Sequence, residues 1–100
     1  MARSQAELQE LLLGIAENVY FQPPTNLQLV YPCIVYARYI AKSQFADGMP
    51  YIHDKRYQVT IIDQNPNSEF YDPVSLLPMC VHNRSFVVNN LNHDVFNLYF

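Results

Sequence analysis

The spacing of apolar and polar positions divides the chain into short elements. Leu8, Leu11, Leu12 and Ile15 recur at helical intervals and predict an amphipathic helix from Ser4 to about Asn18. Ser4 with Glu7 three residues on has the pattern of a capping box, in which hydroxyl and carboxylate satisfy free backbone N–H groups of the first turn. Glu10 and Glu17 fall off the apolar stripe. Gly14 weakens the last turn, since glycine costs about 1 kcal/mol against alanine in a helix. Val19 to Gln22 predicts a short strand or extended arm, which Pro23 and Pro24 end. Asn18–Gln22 resembles a protease site used for tag removal; the two prolines that follow, in place of a small residue, mark it as native. Thr25 to Tyr31 reads as a loop.

Strand patterns follow. Cys33 to Ile40 is β-branched, aromatic and short. Cys33, Val35, Ala37 and Tyr39 share one face; Ile34, Tyr36, Arg38 and Ile40 share the other. Both faces are mostly apolar, which suits a central strand or one covered by a neighbouring subunit. Ala41 to Met49 reads as a long hairpin connection with Asp47-Gly48 as its turn. Tyr51 to Asp63 returns as a second strand, with Tyr57, Val59 and Ile61 turned inward. Asn65-Pro66-Asn67 is a turn, and Ser68 to Leu77 holds a short helix starting near Asp72-Pro73, with Val74 and Leu77 docking on the core. Met79 to Val88 and His93 to Phe100 are the last two strands, joined by a tight turn over Asn89–Asn92, because asparagine tolerates positive φ. The sum is one α+β domain over 1–100. It comprises an antiparallel sheet of about four main strands plus a short N-terminal strand, with an N-terminal helix and a short second helix packed on one face.

Composition narrows the function classes. Of 100 residues, 50% are hydrophobic and 15% charged, which is too apolar for a disordered chain. The formal charge is −3 and no basic run exists, so a nucleic-acid grip through phosphates starts with little support. No apolar run approaches the roughly 20 residues that span a bilayer, and the glutamates among the N-terminal leucines do not suit a signal peptide. The eight Tyr and six Phe are more aromatic surface than so small a core absorbs, which points to a protein interface.

Candidate chemistry is sparse. His53, His82 and His93 with Cys33 and Cys80 lack the short ligand spacing of a zinc site. Both cysteines sit in apolar strand patterns and read as small hydrophobes of a reduced protein. Gly14 and Gly48 are the sole glycines, too few for a phosphate-cradling loop. The carboxylate pairs Asp47/Asp54 and Glu69/Asp72 fall in loops and turns. Arg38, Lys42, Lys55, Arg56 and Arg84 gather loosely around the hairpins, as ordinary surface charge or as a modest patch for DNA or an acidic subunit face. The expectation is a protein that is not an enzyme and uses no catalytic residue, metal or cofactor. The residues expected at an oligomer or partner interface are Tyr36, Arg38, Tyr39, Phe45, Met49, Tyr99 and Phe100, with a core role as the competing reading for the strand positions.

The order of segments resembles a known group. A leading helix is followed by Asn18-Val-Tyr-Phe-Gln-Pro-Pro24, Tyr31-Pro-Cys-Ile-Val-Tyr36, Lys55-Arg-Tyr-Gln-Val-Thr-Ile-Ile-Asp63, a short helix and Leu91-Asn-His-Asp-Val-Phe-Asn-Leu-Tyr-Phe100. This resembles the neck and tail-completion proteins of long-tailed bacteriophages, of the tail-terminator type. The resemblance covers nearly the whole chain and rests on overall pattern, Tyr31–Tyr36 and Lys55–Asp63 being its most specific pieces. It implies a virion structural protein, assembled in the host cytoplasm, that forms a homohexameric ring. Such a ring terminates the tail tube and joins it to the head connector. The implied partners are copies of the same chain, the tail tube protein and head-closure or connector proteins, with genome DNA passing the lumen unbound and no membrane involved. A head-closure or adaptor ring of the same neck is the alternative within this class; a small metal- or DNA-binding regulatory module is the alternative outside it.

Overall fold

The computed structural model describes residues 5–38 and 56–99. Along the chain run α1 (Gln5–Leu13), β1 (Val19–Phe21), β2 (Cys33–Arg38), β3 (Arg56–Asp63), α2 (Tyr71–Ser75), β4 (Cys80–Val88) and β5 (Leu91–Tyr99). The five strands form one sheet in the order β1-β2-β3-β5-β4. All pairs are antiparallel except β1 with β2. The last strand in chain order therefore lies inside the sheet, and β4 forms an outer edge.

Alternation in the strands decides where the core lies. Ile34 and Tyr36 pair with Ile61 and Val59, while Tyr57 and Val59 pair with Leu98 and Phe96. These side chains share one sheet face and are fully or almost fully buried. Leu8, Leu12 and Ala16 cover that face from the α1 side, and Val74 covers it from α2. Both helices thus pack on one face, as the sequence pattern predicts. Tyr36 ties α1 to β2 with its hydroxyl: the Gln5 Nε2 amide donates to it at 2.6 Å, and the hydroxyl donates to Gln9 Oε1.

Local differences from the sequence reading have physical causes. The first helix ends at Leu13 rather than near Asn18. The Gly14 N–H is shared between the carbonyls of Glu10 and Leu11, the pattern of a tightening last turn, and the chain then turns toward β1. Within α1 the buried line runs through Leu8 and Leu12, leaving Leu11 exposed, and beyond the helix end Ala16 joins the core. Ser4, and with it the capping box, lies outside the described residues. The second helix starts at Tyr71, one residue before Asp72, with no side-chain cap. Instead the Ser68 hydroxyl accepts the Phe70 N–H at 3.2 Å, so the chain is already turning when it reaches Asp72. The β4–β5 turn needs two residues, not four: Asn89 and Asn90 have φ of 52° and 62°, and Leu91 and Asn92 join β5. The Ala41–Met49 connection and residues 51–55 of the expected second strand lie outside the described residues.

Candidate functional site: the outer strand and the open sheet face

β4 is nine residues long, and eight of them, Val81 to Val88, are exposed. In the sheet order one side of this strand hydrogen-bonds to β5, and among the described residues no strand lies along the other. Among the described residues, a row of main-chain donors and acceptors on that side is therefore left without a partner strand. Apolar side chains accompany it: Val81, Val87 and Val88 are 62%, 64% and 48% exposed. Met79 just before the strand is also exposed.

A bulge at Asn83 splits the strand in two. His82 pairs with Phe96 and Arg84 with Val95, so two positions of β4 span one step of β5. The bulge reverses the alternation, and His82 and Ser85 come to share the helix-side face with Asp94. There the Ser85 hydroxyl donates to Asp94 Oδ1 at 2.5 Å, and Ser85 Oγ lies 2.9 Å from His82 Nε2. Serine is the middle member, and its proton goes to the carboxylate. A nucleophilic serine instead gives its proton to the imidazole, so this cluster clamps the hairpin rather than activating an oxygen. The His82 ring also packs edge-on against Phe96 at 5.2 Å.

On the opposite face the same two strands build an aromatic ladder. Phe86 stacks on His93 with ring centroids 4.6 Å apart, and the Arg84 guanidinium lies 5.7 Å from the Phe86 ring. At the far end of β5 the Arg56 guanidinium sits 5.0 Å over the Tyr99 ring.

The residues expected at an interface separate. Tyr36 is fully buried in the core, a correction to its place among surface residues; its ring packs against Phe21 at 4.9 Å and Tyr57 at 6.0 Å. Burial raises the Tyr36 hydroxyl above its usual range, and it raises Tyr57 as well. Arg38 is exposed at the end of β2, where its main-chain N–H donates to Gln22 Oε1 at 3.1 Å. Tyr99 is half-buried beneath Arg56. Tyr39, Phe45, Met49 and Phe100 lie outside the described residues. Arg38 and Arg56 occupy opposite faces of the sheet, so they do not form one basic patch, and Lys42 and Lys55 are outside the described residues.

The metal and thiol candidates also come apart. His82 and His93 project from opposite faces of the β4–β5 pair, and His53 is outside the described residues. Among the described residues no group of three or more His, Cys, Asp or Glu side chains gathers. Both cysteines are free. β2 and β4 are separated by three strand spacings, about 14 Å at 4.8 Å each, which no disulfide spans. Burial pushes the Cys33 thiol up to about 11 and raises Cys80 as well, so neither is a ready nucleophile. Among the described residues no helix is long and apolar enough to cross a membrane.

The pattern of Met79–Val88 predicts a strand but not its place at the outside of the sheet, which is what leaves its apolar side chains exposed. One signal was there: Phe86, Val87 and Val88 are consecutive, so at least one of them must leave any single core face. No protein-family model matches this chain, nor does any curated protein or solved structure.

Proposed function

We propose that this protein is a ring-forming structural subunit of the neck of a long-tailed bacteriophage, which caps the tail tube and joins it to the head connector. The observation that carries the reading is the outer strand β4, nine residues long, with no strand along its outer side among the described residues and with Val81, Val87 and Val88 exposed. A surface of that kind is covered when a protein works in an assembly. The order of segments that resembles tail terminators supports the same role and supplies its partners: further copies of this chain, the tail tube protein and the connector.

The mechanism is assembly without turnover. Identical subunits in head-to-tail contact close into a ring when the rotation between neighbours closes. The ring then offers one rim to the tube end, which stops polymerisation, and the other to the head. Solution mass by light scattering across concentration tests the reading. A discrete hexamer-sized species, or tail tubes that become capped and fixed in length on addition of the protein, is the expected result. A strict monomer that leaves tail tubes uncapped overturns it.

A further inference from the structure

The two sides of the sheet differ in charge. The helices carry Glu10 and Asp72, and the turns beside them Glu17 and Glu69, all exposed. Asp63 and Asp94 occupy strand positions on that same side, where Arg38 at the end of β2 is the one described arginine, so carboxylates outnumber it there. On the opposite face the described charged positions are Arg56 and Arg84, with His93 between their strands, and no described carboxylate shares it. Both arginines are exposed and rest on aromatic rings, Tyr99 and Phe86. A guanidinium held on a ring keeps its donor fork oriented and loses less freedom when a carboxylate arrives. Around Arg84 the face is apolar and open: Val81, Phe86 and Val88 are 62%, 38% and 48% exposed.

We infer that this face, centred on Arg84 and Phe86 with Arg56 at its end, docks the acidic helix side of a second copy of the chain. The inference deepens the ring reading and rests on it. Charge selects both the occupant and the geometry. The sheet face placed against its own copy would set arginines against arginines, and the helix side against itself would oppose carboxylates; each arrangement is repulsive. Sheet face against helix side joins opposite signs. The two patches belong to different surfaces of one chain, so the contact is heterologous and leaves one patch of each kind free for the next subunit. The apolar residues beside Arg84 supply the desolvated centre and the charges the rim and register. Nucleic acid is the competing polyanion for such a face, but two arginines on a chain of net charge −3 give few phosphate contacts.

Paired charge reversals test this. One variant carries Arg56→Glu and Arg84→Glu, the other Glu10→Lys and Asp72→Lys; all four positions are exposed. Circular dichroism and thermal unfolding first establish that each is folded. Wild type is expected to form a multimer that weakens with salt. Each variant alone is expected to dissociate at concentrations roughly tenfold or more above those that dissociate wild type. Mixed in equal amounts, the two variants should recover the multimer with strict alternation, because each reversed face then meets its complement. Variants that individually keep the wild-type mass overturn the assignment of these faces while leaving a ring possible through others. A wild type that is monomeric in solution overturns the charge-paired contact, and tube capping then decides the ring separately. Binding of duplex DNA at low salt that the double arginine reversal abolishes, with the multimer unchanged, overturns the inference in favour of nucleic acid.

Discussion

Tyr36→Phe separates a core role from an interface role at a position where sequence left both open. The substitution keeps the ring and its packing on Phe21 and Tyr57 and removes one oxygen. That oxygen accepts from Gln5 Nε2 and donates to Gln9 Oε1, so two hydrogen bonds between α1 and β2 are lost. Each such bond is worth about 0.5–1.5 kcal/mol net. The glutamines are only partly buried and recover water, which places the expected loss near 1–2 kcal/mol. For a domain of this length, each kcal/mol lowers Tm by about 4–8 °C. Tyr36→Ala, which also empties the ring site, should cost about 3–5 kcal/mol, much of the total stability of a small domain. Urea unfolding followed by circular dichroism reads both, with an unchanged m-value showing that stability alone has moved. A double-mutant cycle with Gln9→Ala should return a coupling of about 0.5 kcal/mol or more. If Tyr36→Phe leaves the midpoint in place and weakens self-association instead, then Tyr36 is a contact residue and the docking of α1 described above is wrong.

Three further outcomes follow from the same structure. Cys33 is fully buried and its thiol is pushed from 9.0 to about 11, a raised value that means the folded state holds its proton more tightly than the unfolded chain does. That contribution, about 3 kcal/mol, is whole below pH 9 and is lost as pH rises through 11; Cys80, Tyr36 and Tyr57 are shifted the same way. Urea midpoints measured from pH 8 to 11 should fall, and fall less for Cys33→Ala; a flat profile contradicts the burial. Leu12→Ala empties a fully buried site under α1 and should cost about 2–5 kcal/mol in the same denaturation assay, whereas a loss below 1 kcal/mol would mean α1 is not packed there. Asn90→Gly relieves a side chain held at φ 62° and should raise stability by roughly 0.5–1 kcal/mol, read as a higher Tm; a decrease would contradict the two-residue turn.

The fold was legible wherever alternation was strict. Tyr57, Val59 and Ile61 read as inward and are buried, and Val74 reads as a docking residue and is buried. Element ends were less legible, because they turn on backbone bonds that leave no hydrophobic trace, such as the Gly14 N–H shared between Glu10 and Leu11. The parallel pairing of β1 with β2 and the insertion of β5 between β3 and β4 are long-range choices that no local pattern encodes. The candidate site was the least legible part. Tyrosine serves cores and interfaces alike, so the excess of Tyr pointed to a surface without saying which residues form it. Tyr36 lies inside because it shares the core face of β2 with Ile34, and its hydroxyl meets two glutamine partners on α1, one helical turn apart. The exposure of β4 depends on its being outermost in the sheet, and the bulge at Asn83 then decides which of its side chains face each way.

The placement of β5 also bears on how the protein is made. β2 and β3 can pair as soon as both have emerged from the ribosome, but β4, synthesised next, has no sheet partner among the described residues until 91–99 follow. Phe96 and Leu98 arrive late and fill the middle of the core. The subunit therefore completes its fold only after β5 is translated, and until then the free edge of β3 is open to stray pairing. In the proposed ring, this order acts as proofreading. A chain cut short before residue 91 cannot anchor β4, lacks the Arg84–Phe86 face proposed to join one copy to the next, and is left out rather than built in as a fault.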